Sequence, residues 1–208
     1  ESESRGLGDV YKRQKDTIVI FEITMIDLAN DGEIDEKDFM DRAKLLGSLG
    51  ETVLITNFKE YYRLVEYFSQ YTKKKIGLTM GVNNLIRVFD PKYYTHLSGG
   101  IMEAFGKLFF KNMKIYLYPV LNEEDEIINS ENLKVHPRMK ELYKFLKFNG
   151  KVVDLNKYNL KSLKIYSHEV LVKIKENSVG WESLLPKAVA SKIKKFNFFG
   201  YKNNSTHW

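Results

Sequence analysis

The sequence predicts an α/β fold: a Rossmann-like parallel sheet with helices on both faces and a helical C-terminal end. Three observations carry that expectation. Short apolar runs rich in β-branched residues alternate with longer stretches of helical period, in the order β-α-β-α-β-α-β. The runs are continuous rather than alternating, as in strands buried on both faces. And no apolar stretch reaches about 18 residues, so none is long enough to span a membrane.

The first run, Asp16 to Ile26 ("DTIVIFEITMI"), reads as a buried strand, and Asn30-Asp31-Gly32 turns the chain after it. Asp35 then caps a helix with Phe39, Ala43 and Leu46 on one face, which ends at Gly47 to Gly50. Thr52 to Thr56 ("TVLIT") is the second strand. The helix after it places Tyr61, Leu64, Val65, Phe68 and Tyr71 on one stripe. Lys75 to Gly81 is the third strand, followed by a helical segment broken by Pro91 and Gly99-Gly100, and Lys114 to Pro119 is the fourth. Leu121 to Asn132 is acidic and without period, and reads as a surface loop. Pro137 opens a helix with Met139, Leu142, Tyr143 and Leu146 inward, closed by Gly150. "KVVDL" and "LKIYS" (Leu163 to Ser167) read as short strands, and two helices, Ser167 to Glu176 and Pro186 to Phe196, end the chain.

Composition narrows the function classes. Hydrophobic content of 43% with 13% aromatics supports a sizeable core, and zero cysteine excludes a disulfide framework and a thiolate metal site. That absence fits a cytoplasmic location. The net charge of +6 comes from 27 lysines and only 6 arginines spread along the chain. Such a pattern reads as a solvated surface; nucleic-acid binding clusters arginine and aromatics on one face. The expected partner is a nucleotide or small phosphorylated substrate, with no nucleic acid and no membrane.

Ser4 to Gln14 ("SRGLGDVYKRQ") reads back, codon by codon, into the transposase adapter of tagmentation libraries. Residues 1–14 are therefore expected to be adapter-derived and foreign to the fold. Residues 15–208 are expected to be one domain, the C-terminal part of a longer protein from an environmental or draft assembly.

In open parallel sheets ligands bind outside the carboxyl ends of the strands. Those positions are Asp27 after strand one, Thr56 and Asn57 after strand two, and Gly81 and Asn83 after strand three. Asp27 to Asp38 imitates a calcium loop, with Asp27, Asp31, Gly32, Asp35 and Asp38 at the first, fifth, sixth, ninth and twelfth positions. Ala29 stands at its third position and a strand precedes it, so no metal site is expected. "TVLITN" with Asp27 resembles the second motif of haloacid-dehalogenase-type phosphotransferases, which need a second carboxylate two residues after the nucleophile; Ala29 stands there.

The tail, Ile165 to Tyr201, resembles the C-terminal end of nicotinate- and nicotinamide-mononucleotide adenylyltransferases. That family carries an Ile-Ser-Ser-Thr-x-Ile-Arg motif opening a helix, then a Val-Pro-x-x-Val-x-x-Tyr-Ile helix. Ile165, Ser167 and Val170 fall on the first, and Leu185-Pro186, Val189 and Ile193 on the second; Lys192 stands where the tyrosine would be. The resemblance implies a nucleotidyltransferase transferring AMP from ATP to a pyridine mononucleotide, a step of NAD biosynthesis, with magnesium accompanying ATP. It implies nucleotide contacts at Ser167 and at His168, which replaces the threonine, with Thr24 overlaying the start of the family's histidine loop. Leu171 stands in place of the arginine. The paired histidines of that loop are not seen: the histidines are His96, His136, His168 and His207. Catalytic residues therefore stay unassigned. Two alternatives follow, a non-catalytic Rossmann-like module binding a nucleotide or a partner, and a degenerate phosphotransferase using Asp27.

Overall fold

A computed structural model describes residues 17–25, 29–30, 33–110 and 112–202. The adapter-like segment and Asp27 lie outside the described residues. The chain is α/β, with its longer strands paired parallel. Where one parallel sheet is expected, the described residues form two compact units, each with its own parallel ladder. Residues 60–158 form one. Residues 17–59 and 159–202 form the other, so the two ends of the chain share a unit.

The unit of terminal segments begins with β1 (Ile20–Thr24). A small antiparallel pair follows, β2 (Ala29–Asn30) with β3 (Glu33–Ile34). Helix α1 (Glu36–Ser48) starts as expected at Asp35, whose side chain accepts from the Asp38 N–H at 2.9 Å. Gly50, at φ 81°, lets the chain reverse after it. β4 (Thr52–Thr56) then pairs parallel with β1, Ile20 opposite Thr52 and Thr24 opposite Thr56. The buried face of α1 is not Phe39, Ala43 and Leu46. It is Asp41 and Leu45, because Asp41 is needed inside: its Oδ2 accepts the Phe199 N–H at 2.6 Å. Phe199 sits at φ 58°, a conformation rare for a bulky residue, and the buried carboxylate ties that turn down.

At the C-terminal end, Leu163 to Ser167 is not a strand. Leu160–Lys164 winds as a 3-10 turn, because the Asn159 side chain accepts from the Lys161 N–H at 2.9 Å. The two expected helices are present, and so is a further 3-10 turn between them, Trp181–Leu184. Leu45, Val170, Ile174, Trp181, Ala190, Ile193, Phe198 and Phe199 form the buried cluster of this unit.

The other unit, Glu60–Tyr158, is built around its sheet. Helix α2 (Tyr61–Tyr71) buries Tyr62, Leu64 and Val65, while Tyr71, expected on the inner stripe, is exposed. The order continues with β5 (Gly77–Gly81), α3 (Val82–Val88), a 3-10 turn at Pro91–Tyr94, α4 (Gly100–Leu108) and β6 (Lys114–Tyr118). The acidic stretch holds a short hairpin, β7 (Val120–Leu121) against β8 (Ile127–Ile128). Its turn closes because the Asn122 side chain accepts from the Glu124 and Glu126 N–H groups. Helix α5 (Lys140–Phe148) follows a 3-10 turn opened by Pro137, and Gly150 at φ 63° closes it. β9 (Val152–Asp154) completes the parallel order β5-β6-β9. Met80, Ile115, Leu117 and Val152 carry the sheet into the core, and Phe89 meets Phe105 and Tyr143 edge-on at 4.9 and 5.2 Å.

Candidate functional site

Five of the residues expected to bind ligand lie in the unit of terminal segments, in two places. The first is the carboxyl end of the β1–β4 ladder. Thr24 and Thr56 face each other across it. Thr24 Oγ1 donates to the Phe58 carbonyl at 3.0 Å. Thr56, buried, donates its hydroxyl to Glu22 Oε1 and accepts the Phe58 N–H at 3.4 Å. Both hydroxyl hydrogens are thus engaged by the chain itself, and a carboxylate lies against Thr56. A phosphate needs donors, so at this end Asn57, which is exposed, is the side chain with amide donors to offer.

The second place is the start of α6 (Ser167–Lys175). The residue before it, Tyr166, makes no side-chain cap; its carbonyl accepts the Glu169 and Val170 N–H groups, both at 3.1 Å, which leaves the Ser167 and His168 N–H groups as the ones to offer. Ser167 and His168 occupy the first two helical positions, and both are exposed. The early N–H groups of a helix have no partner within it, and they carry the positive end of its dipole. The His168 ring lies beside that of Tyr166, centroids 6.0 Å apart and planes tilted by 43°, and its Nε2 lies 4.0 Å from Glu169. A shallow indentation of about 410 Å³ runs along the same helix, lined by His168, Glu169, Val172, Lys173, Glu176 and Ser178. Val170 and Ile174 anchor the opposite face.

Gly81 is elsewhere. It ends β5 in the other unit and precedes α3, with open space where a Cβ would stand. In that unit a further strand-end residue is Asp154, at the end of β9. Its carboxylate accepts from Ser130 twice, from the N–H at 3.0 Å and the hydroxyl at 2.6 Å. Tyr143 donates to the Ser130 carbonyl at 2.7 Å. The strand-end rule, applied to "KVVDL", points to Asp154, and the structure uses it to hold a turn. A second missed cluster surrounds Glu60: Arg63 lies 3.1 Å and His96 3.8 Å from its carboxylate, and both approach Tyr62 Oη at 3.3 Å.

Among the described residues no three His, Asp or Glu side chains converge on a metal position. Magnesium prefers one or two carboxylates together with substrate phosphates. Among the described residues, Glu22 at the first place and Glu169 at the second are already set against Thr56 and His168. Among the described residues these donors do not make a magnesium site. In the calcium-like segment, Asp35 caps α1 and Asp38 pairs with Arg42 at 2.5 Å, so those carboxylates serve the helix. No protein family, curated protein or solved structure matches this chain.

Proposed function

We propose that this chain is a Rossmann-like module that binds a nucleotide or small phosphorylated ligand, related to the mononucleotide adenylyltransferases and without their turnover. The alternation of strand and helix with parallel pairing in both ladders supports the fold. One observation carries the binding: α6 opens at Ser167 and His168 with an exposed first turn that no side chain caps. A phosphate placed there would accept from the early N–H groups and meet the positive end of the dipole. Ile165, Ser167 and Val170, on which the family resemblance falls, are the residues that open and anchor this helix.

Turnover is a separate matter. Adenylyl transfer is positioning plus stabilisation of charge on phosphate oxygens. The resemblance assigns that work to two loop histidines and an arginine. Here Leu171 holds the arginine position, His96 stands with Glu60 and Tyr62, and the His136 ring accepts from the Arg138 N–H. Losing one such donor typically costs about 100- to 1000-fold.

Titration calorimetry of the intact chain with ATP and with nicotinate mononucleotide tests the binding. Ser167→Glu separates binding from folding. A carboxylate in the first turn stabilises a helix by about 0.3–1 kcal/mol and repels a phosphate from the same N–H groups. The expected outcome is an unchanged or higher melting temperature with at least tenfold weaker binding. Binding untouched by Ser167→Glu would remove the proposal. Dinucleotide formation from ATP and mononucleotide, followed by chromatography, is expected below about 0.1 per second, against about 1 to 1000 for typical enzymes.

A further inference from the structure

We infer that the outer face of α5 is a peripheral docking surface for an anionic lipid bilayer. The helix is amphipathic. Tyr143 and Leu146 point into the core of the Glu60–Tyr158 unit, while Phe145 and Phe148 point out, 61% and 91% exposed. Two phenylalanines one turn apart on the same exposed arc are not needed by the fold, since neither joins the buried cluster or packs against it. Lys140, Glu141 and Lys144 share that exposed arc, Glu141 between the two phenylalanines and the lysines to one side, with Lys147 next to it. From Lys134 to Lys151 the chain carries six basic side chains (Lys134, Arg138, Lys140, Lys144, Lys147 and Lys151) against one acid, Glu141, in a protein of net charge +6. The opposing carboxylates are weak restraints. Glu141 pairs with Lys144 at 2.8 Å and Glu131 with Lys147 at 2.5 Å, both with glutamates largely in solvent, where a pair contributes under about 1 kcal/mol.

The shape and chemistry favour a bilayer over a protein. A protein partner recognises aromatic anchors through a pocket and a water-excluding rim, and lysine is depleted from such interfaces. Phe148 projects almost free of its own chain, so it would enter a soft boundary between headgroups and acyl chains without a matching pocket. Lysine stems lie along apolar surface and keep their charge at the headgroups. A basic flank beside exposed aromatics is the composition of helices that lie in the interface plane. Among the described residues no helix is long and apolar enough to cross a membrane. A surface-lying helix needs no such length.

The test is co-sedimentation of the full chain with vesicles of phosphatidylcholine alone and of equal parts phosphatidylcholine and phosphatidylglycerol. Binding is expected to the anionic vesicles only, weakening as salt rises. Phe145→Ser with Phe148→Ser should lower it at least tenfold without changing the melting temperature, because both side chains are exposed. Lys140→Gln and Lys144→Gln should each lower it roughly fivefold. Absence of binding to the anionic vesicles overturns the inference. So does binding to them that the phenylalanine double variant leaves unchanged, since that would be charge attraction alone.

Discussion

The two units use parallel strands in opposite ways. In Glu60–Tyr158 the sheet is the centre of the core: Ile115 and Leu117 are 0% exposed, and Met80 and Val152 join them. In the unit of terminal segments no residue of β1 or β4 belongs to the buried cluster, which helices and 3-10 turns supply. Phe21 and Ile55, on these strands, are 40% and 50% exposed. Among the described residues, nineteen buried side chains make the first cluster and eight the second. One unit is cut from a continuous stretch of chain. The other joins two ends, and the Asp41–Phe199 hydrogen bond, 158 residues apart in sequence, is one of its ties. Strands of similar hydrophobicity are therefore buried or half-open according to what the rest of the chain brings against them.

The largest effects should come from the two cores. Leu117→Ala in the sheet and Ile193→Ala in the terminal cluster, both buried, should each cost about 2–4 kcal/mol in denaturant unfolding. A loss under about 0.5 kcal/mol at Ile193 would place it on the surface and break the helical-core account of that unit. Next is Asp41→Ala. It leaves the Phe199 N–H without its acceptor and should cost about 1–3 kcal/mol; no loss would mean the chain ends are joined without it.

The tyrosines of the sheet unit give a pH signature. Burial pushes the Tyr94 and Tyr143 hydroxyls above the usual value of 10.0, with Glu60 and Asp154 respectively adding to the rise. A raised phenol holds its proton more tightly folded than unfolded. The stability it contributes is complete below about pH 10 and is lost as pH climbs from there towards the folded value. Tyr94→Phe should therefore flatten the fall in melting temperature above about pH 10. An identical alkaline slope in the variant would contradict this. The smallest effect should be Ile55→Ala on the half-open strand, under about 1 kcal/mol. A larger cost would show that something covers β4.

Much of the local structure was legible. Asp35 as a cap, Pro137 and Gly150 as helix punctuation, and the five longer parallel strands all follow from residue chemistry and period. What was not legible depends on distant partners. Asp41 looks like a surface acid until Phe199 arrives beside it. Tyr71 fits the apolar stripe of α2 but lies at its end, past the packed turns. "LKIYS" has strand composition, yet the Asn159 side chain turns the chain just before it. At the candidate site, Thr56 follows from the strand-end rule and Thr24 from the family resemblance, but neither reveals that the two face each other across a ladder or that their hydroxyls are engaged by Phe58 and Glu22.

The claim that ligand binds in the terminal unit, at the start of α6, is tested most directly by hydrogen exchange of the intact chain with and without ATP. Opening of backbone amides is slowed where a ligand orders them. The account predicts added protection in peptides covering Tyr166 to Val170, with the β5–α3 segment around Gly81 unchanged. Protection around Gly81 with none at Ser167 and His168 would put the ligand in the other unit and contradict it.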